Sequence, residues 1–310
     1  MPFSSREFDP QTDIVAIRDF LSSLVTRIGQ DRMLHTGDWL WQIARLNDRA
    51  EADRGTLRVW TAQGGAIAGF CWFTPPGRME IQVDPAVSPD GGIEREMLAW
   101  ALERQRARPD RSSADLESDA FERDDRKISI LESLGFRPSG DDVYNQFWQR
   151  LGETVVDAPM PEGGSVRSIA GVDDWSDRVA IHREVWNPSR FTATSYDAVR
   201  SVPGFRPELD LVAVAADGRF AAYSICWYDP VNRTGEFEPV GTRAGYRRQG
   251  FARAVIAEGL RRLRALGAAD AMVISAGENA ASNALYAACG FTLTGQDRGY
   301  RRTADAVVDR

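Results

Sequence analysis

The chain is nearly devoid of histidine, cysteine and lysine. Its 310 residues include two histidines (His35 and His182), three cysteines and one lysine, Lys127. Two histidines so far apart in sequence argue against a histidine-based metal site, and no metal is expected. They also leave no Ser-His-Asp or Cys-His set, which disfavours chemistry through a covalent intermediate on the protein. Cys71, Cys226 and Cys289 lie in apolar surroundings without C-x-x-C spacing. They read as buried, reduced thiols of a cytoplasmic protein. No apolar run approaches 18 residues, so no membrane-spanning helix is expected. The start, MPFSSREFDPQTD, lacks a charged head followed by an apolar run and does not read as a signal peptide. A net charge of −7 and a pI near 5.1 argue against general nucleic-acid binding and favour amine ligands. With 43% hydrophobic and 27% charged residues, this length predicts about two globular domains.

The positive charge that is present is concentrated. From Arg243 to Arg264 there are seven arginines and one acid, Glu258. The segment Tyr246-Arg247-Arg248-Gln249-Gly250-Phe251-Ala252-Arg253 stands between an apolar stretch ending near Val240 and a helical pattern from Ala252 to Leu266. A glycine-containing turn that opens a helix presents unpaired backbone N–H groups. Together with the positive end of the helix dipole, those donors form a seat for a diphosphate. A local excess of six positive charges in an acidic chain points to a polyanionic ligand.

The chain also repeats itself. Gly69-Phe70-Cys71-Trp72-Phe73 resembles Ser224-Ile225-Cys226-Trp227-Tyr228, and Leu134-Gly135-Phe136 resembles Cys289-Gly290-Phe291, both at an offset of 155 residues. Two copies of one fold are therefore expected, over 1–150 and 165–302, joined by a Pro- and Gly-rich linker at 151–164. Each copy reads as an early amphipathic helix, a β-hairpin, a third strand, a long helix, a short strand, a second helix and a last strand. In the second copy Asp217-Gly218 is the expected hairpin turn. The long helix has apolar or small residues at Ala252, Val255, Ile256, Gly259, Leu260 and Leu263, one buried face. The fold class is α/β or α+β.

These residues resemble the GNAT N-acetyltransferase superfamily. Arg247-Arg248-Gln249-Gly250-Phe251-Ala252 is similar to its acetyl-CoA pyrophosphate loop, R/Q-x-x-G-x-G/A. Asn279, Asn283, Leu285-Tyr286 and Gly290-Phe291 resemble its N-x-x-A-x-x-L-Y-x-x-x-G-F segment, with Ser282 where alanine is usual. The resemblance covers most of residues 165–302, and the two-copy layout is similar to that of mycothiol synthase-like proteins. It implies two tandem domains, each a mixed, mostly antiparallel sheet flanked by helices. It also implies acetyl-CoA as cofactor, held by the backbone near Val240 and Thr242, by residues 247–253 including Arg253, and by Asn279 and Asn283. Pro239 cannot join a ladder and suggests a bulge or splayed strand, as the family's opened sheet requires.

Acetyl transfer to an amine needs a base, a donor to the carbonyl oxygen and a proton for the leaving thiolate. By resemblance Tyr286 supplies that proton and a backbone N–H near Val240 the oxygen's hydrogen bond. Glu236 and Glu238 are two apart on the third strand and share a face. Glu238 is the expected general base and Glu236 the runner-up. Trp186, Phe191, Tyr223, Tyr228 and Tyr300 are candidates to line a cleft for a small-molecule or peptide amine, attacked directly in a ternary complex. At the 155-residue offset Arg247 maps to Gly92, Gly250 to Arg95, Ala252 to Met97 and Tyr286 to Leu131. The first copy is therefore expected to have lost cofactor binding and kept the fold. The alternative reading is a non-catalytic acyl-CoA-binding or regulatory protein. The sequence leaves open whether the protein is a monomer or a homodimer.

Overall fold

The computed structural model describes residues 3–46, 56–107, 115–152, 158–171 and 175–303. Residues 153–157 of the expected linker lie outside the described residues. In chain order the elements begin β1 (Phe3–Glu7), α1 (Asp13–Ile28), α2 (Thr36–Ala44), β2 (Thr56–Ala62), β3 (Ile67–Thr74) and β4 (Arg78–Val83). They continue α3 (Gly92–Arg106), β5 (Leu116–Phe121), α4 (Asp125–Ser133) and the long β6 (Arg137–Arg150). Next are β7 (Ser165–Ser168), α5 (Ser176–Val185), α6 (Ala193–Ser201), β8 (Asp210–Val214), β9 (Phe220–Asp229) and β10 (Thr234–Thr242). The chain closes with α7 (Phe251–Ala265), β11 (Asp270–Ala276), α8 (Ala280–Ala288) and β12 (Thr292–Arg302). The expected hairpin turn is present, with Gly218 at φ +82° and Arg219 N–H bonded to the Asp217 carboxylate.

These elements sort into two compact units whose membership differs from the sequence division at 1–150 and 165–302. Among the described residues, the first unit runs to Leu34, resumes at Thr56, stops at Tyr144 and adds 295–303; the second takes 35–46 and 145–294. The reason lies in two long strands and one helix. The end of β12 pairs antiparallel with β5, from Asp297↔Phe121 to Arg302↔Leu116, and places Tyr300 in the first unit's core. The end of β6 places Phe147 in the second unit's core beside Phe251 and Tyr286. Helix α2 buries Trp39, Leu40, Trp41 and Ile43, and packs on β9, β10 and α6. Sequence similarity could not reveal this exchange, because an amphipathic helix or strand does not encode which core it covers.

Each unit has a mixed, mostly antiparallel sheet, as expected. In the first, the order is β1-β2-β3-β4-β5-β12, with one parallel junction between β4 and β5. In the second, the order is β6-β11-β10-β9-β8-β7, and β10 and β11 run parallel. Helix α7 lies on β8, β9 and β10. Its Val255, Ile256, Leu260 and Leu263 are fully buried, and each contributes about 1.5–3 kcal/mol of apolar burial. Gly259 lets the helix approach the sheet: a Cβ there would stand 2.5 Å from Phe237 and 2.7 Å from the Cys226 sulfur. Burial pushes the Cys226 and Cys71 thiols well up, as inert core residues.

The 155-residue offset holds at both ends of α4 and α8, but not at the two long helices. Helix α3 is preceded by Gly91 (φ +73°) and α7 by Gly250 (φ +97°), which are 159 residues apart. Strand β10 is three residues longer than β4, and the turn before it is one residue longer. The counterpart of Gly250 is therefore Gly91, not Arg95, and the glycine is present in both copies.

Candidate active site

The site of interest begins where two parallel strands separate. β10 and β11 pair only at Thr234↔Asp270, Gly235↔Ala271 and Glu236↔Met272. The register between β9 and β10 shifts from Phe237 to Val240, around Pro239. This is the irregularity expected from a residue that cannot donate to a ladder. Val240 and Thr242 lie on the part of β10 beyond its pairing with β11. At the end of β11, the Asn283 amide donates to the Gly277 carbonyl (3.0 Å), while Asn283 Oδ1 is buried without a hydrogen-bond partner. Asn279 caps α8, accepting from Ser282 N–H at 3.2 Å.

Past Thr242 the chain forms a short 3-10 turn (Ala244–Tyr246) and then enters α7. Arg248 and Gly250 both take the left-handed conformation, at φ +62° and +97°. A Cβ on Gly250 would meet only Pro161 at 3.8 Å. The glycine is therefore required by the backbone conformation and not by crowding. The first α7 ladder bond runs from Ala254 N–H to Gly250 O. The amides of Phe251, Ala252 and Arg253 precede it and form the donor end of the helix. Arg247, Arg248 and Gln249 are exposed here.

The arginine excess is partly consumed within the protein. Arg243 is buried, bonding Glu184 at 2.7 Å and the Phe220 carbonyl at 2.6 Å. Arg261 and Arg262 both pair with Glu258. The six-charge excess thus overstates what faces a ligand at the loop, where Arg247 and Arg248 are the exposed arginines.

Glu236 and Glu238 share a face, while Phe237 between them packs towards α7. Their surroundings differ. Glu236 is buried, 2.8 Å from His35 Nδ1, and accepts Asp38 N–H at 2.9 Å in the first turn of α2. Burial opposes protonation of His35, but the Glu236 carboxylate, Asp229 and the Thr234 backbone outweigh it and raise the ring above the ordinary histidine range. Glu238 is half-buried, and among the described residues no ion pair claims it. Burial, then the nearby Glu236, push its carboxyl up to about 8, against the pull of Arg45. A carboxyl so placed exchanges its proton near neutral pH.

Tyr286 faces the same carboxylate from α8. Its ring is buried against Phe147 (5.7 Å) and Phe291 (6.2 Å). Burial, then Glu238 and Cys289, raise the phenol far above its usual value. It therefore stays protonated, with a hydroxyl proton available to donate.

An aromatic cluster gathers around Tyr223, whose phenol feels the Glu238 charge. Trp186, half exposed, donates its indole N–H to Tyr223 Oη at 2.8 Å. The Tyr223 hydroxyl also shares a hydrogen bond of 2.7 Å with His182 Nδ1. Burial, then Arg178 and Arg45, push the His182 pKa down to about 2, so the ring is neutral. Phe191 and Trp41 pack on the same ring, at 4.2 and 5.6 Å. Of the five aromatic candidates for an acceptor cleft, Trp186, Phe191 and Tyr223 come together here, but Phe191 and Tyr223 are fully buried and only Trp186 reaches the surface. Tyr300 belongs to the first unit's core, and Tyr228 packs by Gly267 at the far end of α7.

The equivalent helix start in the first unit is closed from within. Ile93 N–H donates to Ser88 Oγ at 3.0 Å, and Ser88 Oγ donates to Glu94 at 2.7 Å. Glu94 is buried and pairs with Arg126 at 2.8 Å. A carboxylate of the chain thus occupies the helix end that favours an anion.

Comparison with known proteins fits this geometry. Residues 174–291 match the sequence model of the Acetyltransferase (GNAT) family. The chain has the tandem GNAT fold. A tandem GNAT protein from the clavulanic acid biosynthesis pathway superposes with a TM-score of 0.68 at 16% identity, covering 98% of this chain and 99% of that one. A GCN5-related N-acetyltransferase from Sphaerobacter thermophilus gives 0.62 at 18% identity, covering 100% and 99%. A GNAT-family acetyltransferase from Colwellia psychrerythraea gives 0.61 at 11%, covering 97% and 100%. No curated protein matches the chain in sequence. The GNAT match supports acyltransferase activity in general. Among the described residues, no helix is long and apolar enough to cross a membrane.

Sequence reasoning missed His35, Trp41, Arg45 and His182 in this GNAT unit. The first three lie on or beside α2, within the first copy's sequence. Only the apolar face of Trp39, Leu40 and Ile43, without a partner in the first copy's pattern, could have hinted at a second core.

Proposed function

We propose that the chain is an acetyl-CoA-dependent N-acetyltransferase that acts on an amine by direct attack in a ternary complex. The observation that carries this reading is the parting of β10 from β11, flanked by Glu238 and Tyr286 and ending on the donor end of α7. The residues fit the cofactor. Backbone groups of Val240 and Thr242 would hold the pantetheine arm as an added strand would be held, and Asn283 Oδ1 is a buried acceptor still to be satisfied. The amides of Gly250 to Arg253, with Arg247, Arg248 and the Gln249 turn, would hold the diphosphate. Asn279 contributes by fixing the start of α8. Bound acetyl-CoA supplies the thioester acyl group and a thiol leaving group.

The chain's own groups do the proton work. Ionised Glu238 accepts the acceptor's N–H proton, directly or through one water. Val240 N–H would donate to the carbonyl oxygen. Tyr286, protonated throughout the working range, donates to the departing sulfur. Glu236 is tied to His35 and Asp38 and is the weaker candidate for base. In this reading the first unit binds no acetyl-CoA, because Ser88 and Glu94 satisfy its helix end. Of the clustered aromatics Phe191 and Tyr223 are fully buried, so Trp186, half exposed, is the one an acceptor could touch.

Thiol release from acetyl-CoA across a panel of amines tests the proposal. Tyr286→Phe keeps the ring packing and should lower kcat by about 10²–10⁴. If acetyl-CoA binds but no amine ever raises turnover, the chain is an acyl-CoA-binding protein instead.

A further inference from the structure

Resting on the reading of Glu238 as base, a second carboxylate directly behind it needs an explanation. Glu236 is buried as deeply as the core around it, at 1% exposure. An uncompensated anion there would hold the neighbouring carboxylate in its neutral form. The compensation comes from a helix encoded in the first copy. His35 occupies the N-cap position of α2, and its Nδ1 lies 2.8 Å from Glu236 Oε2 and 3.0 Å from Gly37 N. One ring nitrogen serves one of these at a time. Carrying the proton, it donates to Glu236; without it, it accepts Gly37 N–H and leaves Glu236 alone. Asp38 N–H bonds the same carboxylate oxygen. Packing leaves little room for another arrangement, since a Cβ on Gly37 would stand 2.5 Å from Glu236 Oε2 and from Trp227.

We propose that His35 is a positioning residue of the second unit: by neutralising Glu236 it lets Glu238 ionise and take the acceptor's proton. The other groups facing Glu238 are Arg45 beside α2, Tyr223 on β9 and Tyr286 on α8. Both tyrosines are neutral, so Arg45 and the His35–Glu236 pair set its field. Those facing His35 are Glu236, Asp229 and the Thr234 backbone. In this account α2 is a working part of the second unit and not a spacer between the two copies.

The test reads protonation in the intact protein and needs no turnover. With two histidines in the chain, imidazole ¹⁵N spectra of the wild type at pH 7 should show one doubly protonated ring and one neutral ring. His35→Asn assigns the former. Glutamate ¹³Cδ titrations, assigned with Glu238→Gln, should place the Glu238 midpoint roughly 1 unit higher in His35→Asn and roughly 1 unit lower in Glu236→Gln. The double variant should return towards wild type. Two neutral rings in the wild type would overturn the proposal without any variant having to fold. So would an unmoved Glu238 midpoint, or a shift in the same direction in both single variants. Loss of base function is read separately, from the acidic limb of the rate profile. An inactive protein with the expected midpoints would therefore count against the acyl-transfer reading alone.

Discussion

Replacing Glu238 with glutamine should lower activity and raise stability at alkaline pH, and both effects follow from one number. With its carboxyl at about 8, roughly a tenth of the wild-type protein is ionised at pH 7 and roughly nine-tenths at pH 9. The kcat/KM for an acceptor whose amine stays unprotonated across this range should therefore rise about tenfold between those pH values. Glu238→Gln should remove that rise and cost about 10²–10⁴ in rate, or roughly 3–5 kcal/mol. For stability the sign runs the other way. Unfolded, a glutamate titrates near about 4.3. A folded value above that contributes stability that is complete below the unfolded value and is lost as pH rises through about 8. The glutamine variant lacks this loss, so its melting temperature should exceed that of wild type at pH 9 and match it at pH 4. The assays are thiol release over pH 6–9.5 and thermal unfolding followed by circular dichroism. A wild-type rate that is flat across this range, or a glutamine variant with the same pH dependence, would refute the assignment of the base.

Gly250 holds φ +97° with open space around its Cα. Gly250→Ala should therefore cost about 1–2 kcal/mol through backbone strain alone, read as a lower denaturant midpoint. Gly250→Arg should abolish CoA binding in titration calorimetry; unchanged affinity would remove the diphosphate seat from consideration. The same titration on wild type should give one CoA per chain, since Ser88 and Glu94 close the first unit's helix end; two sites would contradict that account. In the first unit, burial and the neighbouring Asp119 hold the Asp297 carboxyl well above the usual range, and its Oδ1 is buried without a partner. Asp297→Asn should therefore stabilise the protein increasingly as pH rises above about 4, the ordinary aspartate value. Unfolding midpoints at pH 4 and pH 8 check this, and an equal effect at both would refute it.

Short-range patterns were enough to reveal the repeat, the amphipathic α7 with its glycine start, the hairpin turn and the bulge at Pro239. Apart from the repeat, which shows as similar short words 155 residues apart, each is written in residues a few positions apart, whose spacing fixes backbone geometry directly. The sequence also brought forward Glu238 and Tyr286 as candidates. It misjudged the arginines, because whether a guanidinium faces a ligand or a local acid is decided by packing: Arg243 is claimed by Glu184, and Arg261 and Arg262 by Glu258. It also misaligned the two copies at their long helices, since a four-residue change in strand and turn is invisible when only the best-matching words are compared. The strand exchange by β6 and β12, and the capture of α2 by the second core, belong to tertiary structure alone. Asp38 meets Glu236 across 198 residues of chain. Contacts at such separation leave no periodic trace, because their energy comes from burying complementary surfaces and pairing charge away from water, and not from any local backbone preference.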